Sequence, residues 1–239
     1  LLTAVQLLAG YDVSLRRITR YPVSYVQEIR DYFREFKGHQ AVKLFNEMLA
    51  NGFAYDAPVW LVLHYGPPPK KEQIATPPDA LLLRCSGAEK SEEFIAAMRD
   101  FAVKSEFLKF YTEHSDYFAS LIEDVSHSME GVKISDLEDF YGYGQHSYNI
   151  ILAPLLHHGG YGPRIERNDS TFDIYSIIGP HGAVKGIPFF GEKADFYEIV
   201  WHEFSHSFMN PLVEEHWAQL QPLKANIFDP VAEQMSNQK

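Results

Sequence analysis

Across the first 135 residues apolar side chains recur every three or four positions, and near residue 140 that rhythm stops. A period close to 3.6 builds helices with one buried face. Short, glycine-punctuated runs of β-branched and aromatic residues build strands instead. The chain therefore reads as α+β: a mainly helical N-terminal part, a small mixed sheet, then one more strongly amphipathic helix. "SYVQEIRDYFREFKG" puts Tyr25, Val26, Ile29, Tyr32, Phe33 and Phe36 on one face. Ser24 and Gln27 stand at capping-box spacing and Gly38 marks the stop. "QAVKLFNEMLANG" repeats the scheme and closes at Gly52, and "APVWLVLHYG" is assigned to helix. Prolines in "GPPP" (66–69) and "ATPPDA" (75–80) bracket a loop. The stretch from "SEEFIAAMRD" to "SLIEDV" predicts one or two long helices. Ser91 is their expected N-cap, with Glu92 and Glu93 in the first turn where the helix dipole favours them.

Beyond that point "YGYGQHSYNIILAPLLHHGGYGPRI" and "STFDIYSIIG" read as strands joined by turns, and helical spacing returns after "GIPFFGEKAD". The division falls at residues 1–135 and 136–239, in a length that suits one large core or two small ones. Leu1 in place of methionine, with no basic segment ahead of an apolar one, predicts numbering that begins after a processed or cropped N-terminus. "AEQMSNQK" ends without a cap or breaker, so the natural chain is expected to continue past Lys239.

Composition removes several function classes. A formal charge of −11 argues against a nucleic-acid partner, because phosphate binding needs clustered Lys and Arg. No apolar run approaches the ~18–20 residues of a transmembrane helix. One cysteine, Cys85, excludes a disulfide framework and a Cys-rich zinc site, and with no histidine nearby it reads as buried rather than catalytic. "GGYG" at 159–162 lacks the spacing of a phosphate loop and predicts a tight turn. Asn168-Asp169-Ser170 matches a glycosylation sequon and carries no weight. Ser205 and Ser207 lack the strained elbow of a serine nucleophile.

The chemistry concentrates in "DFYEIVWHEFSHSFMNPLVEEHW", residues 195–217. At about 100° per residue, Phe196, Tyr197, Ile199, Val200, Trp201, Phe204 and Phe208 cover one broad apolar arc. His202 and His206 fall together beside it, about 40° apart, on consecutive turns. Both imidazoles can then reach a single ion, and zinc, one per chain, suits neutral imidazole. Glu203 projects toward the same side, where it can accept a proton without being a ligand. Asp195 lies two turns and Glu198 one turn before His202. Each reads equally as a carboxylate fixing an imidazole tautomer or as a solvated helix charge.

"HEFSH" on a helix after a short sheet resembles the zincin metallopeptidases, in which an edge strand holds extended substrate across the metal. "WHEFSHSFMNPLVE", "YNIILAPLLHHGGYG" and "AVKLFNEMLANGFAYDAPV" together resemble an uncharacterised bacterial domain family with a predicted metallopeptidase core, commonly exported. The resemblance covers most of the chain. It implies metal ligands at His202 and His206, a catalytic base at Glu203, a peptide or protein substrate, and an exported (periplasmic, cell-surface or secreted) protein. Metzincins are excluded, because Met209 and Leu212 stand where that subclass has glycine and histidine. For a gluzincin-like site three sources of the third ligand are open: Glu214, in a helix starting at Asn210 and Pro211; Glu233; or a residue beyond Lys239. Zinc would lower the pKa of a bound water from ~15.7 toward ~7. Glu203 would take that proton and deliver it to the leaving amine. A donor for the oxyanion is expected among His146, His157, His158, Tyr161 and His181. The alternative is a non-catalytic exported domain that keeps the zincin shell to bind metal or peptide.

Overall fold

Among the described residues ten α-helices, α1 (Leu2–Leu8), α2 (Tyr11–Ser14), α3 (Ser24–Phe33), α4 (Gln40–Leu49), α5 (Ala57–Leu63), α6 (Asp79–Arg84), α7 (Ala88–Lys104), α8 (Phe107–Glu113), α9 (Ser115–Ser126) and α10 (Ile134–Tyr141), precede the first strand. They belong to a computed structural model that describes residues 1–14, 17–68, 70, 72–227 and 229–236. Their apolar faces meet in one core in which Phe33, Phe45, Phe53, Phe94 and Phe101 are fully buried. Cys85 is buried there as a free thiol, as its isolation in the sequence predicts.

Local signals gave way to tertiary contacts at several helix starts. Ser24 is the first residue of α3, Val23 occupies the cap position, and no side chain caps the helix. The Ser24 N–H instead donates to the Gly186 carbonyl at 2.9 Å, and Gln27 donates to Asp31 at 3.0 Å. The expected capping box is therefore absent, because a distant hairpin takes the serine. α7 begins at Ala88 after Gly87, whose φ of 101° favours glycine. Ser91 accordingly lies inside the first turn, where its hydroxyl donates to the Gly87 carbonyl at 2.9 Å, and it is not the N-cap. The predicted loop at 75–80 runs into α6, whose Leu81 is fully buried. The long stretch read as one or two helices is three, α7 to α9, with Glu106 at φ 51° marking the first break.

Four strands follow: β1 (Ser147–Leu152), β2 (Gly160–Tyr161), β3 (Arg164–Glu166) and β4 (Phe172–Ile178). β4 is central, parallel to β1 in register from Ser147 opposite Asp173 to Leu152 opposite Ile178. β2 and β3 both run antiparallel to β4, so the sheet is mixed, as predicted. A separate hairpin, β5 (Gly182–Val184) and β6 (Ile187–Phe189), turns at Gly186, whose φ is 83°. The remaining helices are α11 (Lys193–Glu215), α12 (Trp217–Ile227) and α13 (Asp229–Ser236). α11 runs unbroken through Asn210 and Pro211, where a new helix was expected to begin. No helix among the described residues is long and apolar enough to cross a membrane.

A second core, distinct from the helical one, seats α11 against the sheet. Its buried members include Ile174 and Ile178 of β4, Leu121 of α9, Leu137 of α10, and Phe196, Phe204 and Phe208 of α11.

Candidate metal centre

Phe196, Val200, Phe204 and Phe208 recur every four residues along α11, and each is at most 1% exposed. The Phe204 ring meets Tyr148 of β1 edge-on at 5.5 Å, and Phe208 stacks on Tyr141 of α10 at 4.5 Å and 9°. Burying each such ring contributes about 1.5–3 kcal/mol, enough to hold the helix at one rotation about its axis. Tyr197 and Trp201 pack on each other, partly exposed, at 5.1 Å. The buried stripe is thus narrower than the full apolar arc, and it passes through Glu203 and Ser207.

That rotation presents His202 and His206 from successive turns, as the spacing predicts. Their ring centroids are 4.9 Å apart with planes at 89°. Ligand atoms of His202, Glu203 and His206 all lie within 4.8 Å of one another. His202 is exposed, His206 half-buried, and Glu203 only 4% exposed. One Glu203 oxygen is 4.0 Å from Nε2 of His206. Burial alone pushes the Glu203 carboxyl from 4.5 up to about 7, because a low-dielectric site disfavours the charged form.

Two glycines bring backbone onto Glu203, one against its side chain and one against its main chain. Gly160 and Gly162 are two apart on extended chain and so face the same way, presenting bare backbone to α11. A Cβ on Gly160 would lie 2.9 Å from both Cγ and Oε1 of Glu203 and 2.7 Å from the Ile177 carbonyl oxygen. A Cβ on Gly162 would overlap the Glu203 carbonyl oxygen. "GGYG" is accordingly more than a turn: it lets the sheet touch the motif helix at its carboxylate.

The three residues line a cleft of about 410 Å³, whose other walls include Trp60 of α5, Tyr161 of β2 and Arg164 of β3. The Trp60 indole N–H donates to the Arg164 carbonyl at 3.0 Å and ties helical body to sheet. Pro211 has no N–H, so the Ser207 carbonyl, four residues earlier, loses its helical donor. The Arg164 guanidinium donates to that carbonyl at 3.5 Å and lies 4.3 Å over the Phe172 ring.

Of the five candidate oxyanion donors, Tyr161 alone lines this cleft. Its hydroxyl is 3.0 Å from Nε2 of His157, whose Nδ1 is 2.6 Å from the His158 carbonyl. Since a carbonyl only accepts, Nδ1 carries the proton and Nε2 accepts the tyrosine hydroxyl. Burial holds the Tyr161 phenol above its ordinary range and His157 below its own, so both stay neutral. His158 and His181 line a neighbouring cavity, and His146 stands at the head of β1, its N–H bonded to the Phe172 carbonyl.

Glu214 lines the cleft but sits on the same continuous helix as His206, eight residues on, about 12 Å along the axis. It does not join the ligand group. The fold-back that would have brought it to His206 required a helix break at Pro211, which α11 does not make. The Glu233 side chain lies outside the described residues. Neither Asp195 nor Glu198 hydrogen-bonds to His202; both face the neighbouring cavity. Trp60 and Arg164 carry no local signal in the sequence, because their pairing spans 104 residues. The glycines did carry one: their spacing leaves one face of an extended segment without side chains.

Comparison with curated proteins and with solved structures gives no match. A family described as Domain of unknown function (DUF4932) matches residues 5–239. Matched over nearly its whole length, the chain belongs to the DUF4932 family.

Proposed function

We propose that this chain is a zinc-dependent peptidase in which His202 and His206 hold one metal ion and Glu203 is the general base. The supporting observation is the convergence of these three side chains within 4.8 Å on the wall of an open cleft, with the carboxylate buried and both imidazoles beside it. The two histidines fit the ion, since imidazole nitrogen is an ordinary zinc donor and neither ring is hydrogen-bonded elsewhere among the described residues, while the Glu203 carboxylate stands beside them as the base. Bound there, the ion would supply Lewis acidity toward a carbonyl oxygen and a water molecule.

The protein's own groups account for the proton traffic. Glu203 takes a proton from the attacking water onto a carboxylate oxygen as the new C–O bond forms. It returns that proton to the amine nitrogen as the C–N bond breaks. In the metal-free chain burial already lifts this carboxyl to about 7, which makes it a stronger proton acceptor than a carboxylate at its usual 4.5. Arg164 gives the cleft a cationic donor for carbonyl or carboxylate oxygen. β2 pairs with β4 on one side only, leaving an outer strand edge beside the cleft on which an extended peptide can align. On the likeness to exported zincin-type proteins, the proposal extends to an exported location.

The test is hydrolysis of a mixed peptide pool, followed by mass spectrometry, with the zinc-loaded protein and its Glu203→Gln variant. Cleavage that phenanthroline abolishes, and that the variant loses while retaining its zinc, supports the reading. An unchanged rate in Glu203→Gln refutes it. Zinc uptake with no cleavage of any peptide assigns the domain to metal or peptide binding instead.

A further inference from the structure

One wall of the cleft carries a cation without a counter-charge. Arg164 stands opposite Ile174 in the β3–β4 register, and residues directly opposite point to the same face of a sheet. Ile174 is fully buried in the core beneath α11, so the Arg164 side chain is directed toward that helix as well. Its guanidinium lies 4.3 Å over the Phe172 ring and reaches the Ser207 carbonyl at 3.5 Å. That single long hydrogen bond engages a group with five N–H donors. Arg30, Arg84 and Arg167 each hold an aspartate, but no carboxylate pairs with Arg164 among the described residues. The gap is unexpected in a chain with a formal charge of −11.

Backbone contacts fix where this cation stands. Strand and helix advance together: Gly162 presses on the Glu203 carbonyl, and Arg164 meets the Ser207 carbonyl one turn further along α11. One turn is about 5.4 Å, less than the span of two extended residues at ~3.3 Å each. A peptide aligned on the outer edge of β2, with its scissile bond at Glu203, thus brings a residue within about two positions of that bond to the guanidinium. The carboxylates that share the cleft leave the cation free. Asp56 is held by both arms of Arg84, at 2.8 and 2.9 Å. Glu203 stands beside the two histidines. Glu214 is exposed seven residues beyond Ser207, about 10 Å along the axis.

A guanidinium matches a carboxylate with two parallel N–H groups, and stacking on an aromatic ring leaves that in-plane edge open. We infer that Arg164 sets the specificity of the cleft by binding a substrate carboxylate, an acidic side chain or a free C-terminus, within about two residues of the cleaved bond. The part that concerns cleavage rests on the peptidase proposal above, whereas the carboxylate contact is open to a test by binding alone.

The experiment is isothermal titration of the Glu203→Gln protein, in the presence of zinc, with four short peptides. One is uncharged and capped at both ends; the others carry a central glutamate, a central lysine or a free C-terminal carboxylate. At least one of the two carboxylate peptides is expected to bind about ten- to a hundredfold more tightly than the uncharged one, the range of a charge-assisted hydrogen bond. Which of them does so assigns the acidic side chain or the C-terminus as the group bound. Adding Arg164→Gln should abolish the preference while the uncharged peptide binds as before. The main-chain carbonyl that holds Trp60 is untouched by this change. Adding Arg164→Glu instead should turn the preference toward the lysine peptide, a gain that a folding defect cannot produce. Equal affinity for all four peptides, no binding of either carboxylate peptide, or a carboxylate preference unchanged in either Arg164 variant overturns the inference. Carboxylate preference without cleavage by the wild-type protein would end the peptidase proposal and leave Arg164 as a carboxylate anchor; cleavage without that preference would do the reverse.

Discussion

Glu203→Gln in the metal-free protein is expected to raise stability at pH 8 and to change it little near pH 5. Folding moves the Glu203 carboxyl from 4.5 to about 7 by removing it from water. At about 1.4 kcal/mol per pKa unit, that shift corresponds to about 3 kcal/mol. The sign follows from proton binding. Between about 4.5 and about 7 the folded chain holds a proton that the unfolded chain has released, so stability falls as pH rises through this range. The contribution is fully present below the unfolded value and is gone above about 7. Glutamine has nearly the same shape and never ionises, so the variant escapes the penalty. The assay is equilibrium urea unfolding with chelator at both pH values, comparing the variant-minus-wild-type difference at each. Most of the 3 kcal/mol should appear as the change in that difference, because every other titrating group cancels. Saturating zinc should shrink the gap, since a cation beside the carboxylate replaces lost hydration. An equal difference at pH 5 and pH 8 would refute burial as the cause of the raised pKa.

Two further substitutions probe how the site is assembled. Gly162→Ala places a methyl group on the Glu203 carbonyl oxygen, backbone against backbone, and should cost about 1–3 kcal/mol or more as β2 and α11 are forced apart; an unchanged thermal midpoint would mean that they do not touch there. Pro211→Ala returns an N–H to the Ser207 carbonyl and should stabilise α11 by up to about 3 kcal/mol, read as a higher thermal midpoint, with a loss of stability showing that the pyrrolidine packs usefully.

Helix and strand regions, the α+β class and the histidine pair were all legible before any coordinates, because each depends on spacing along the chain. A period of 3.6 places Phe196, Val200, Phe204 and Phe208 on one stripe and His202 beside His206 whatever surrounds the helix. Capping signals were less dependable. Ser24 and Ser91 both lie within first turns, one held by the hairpin at Gly186 and the other bonded to Gly87. A cap competes on about 1 kcal/mol, which a tertiary contact readily outweighs. Pro211 misled in the same way: an interior proline is costly, yet the apolar stripe of α11 spans it and Arg164 meets the carbonyl it orphans.

What spacing along the chain leaves open is which distant segments close over the helix. Gly160 brings extended backbone onto the Glu203 side chain and Gly162 onto its main chain, and the raised proton affinity of the carboxyl comes from its burial. The cleft joins Trp60 to Arg164 across 104 residues, and the neighbouring cavity gathers His158 and His181 from separate turns. Such meetings depend on the packing of two cores against each other rather than on any local period.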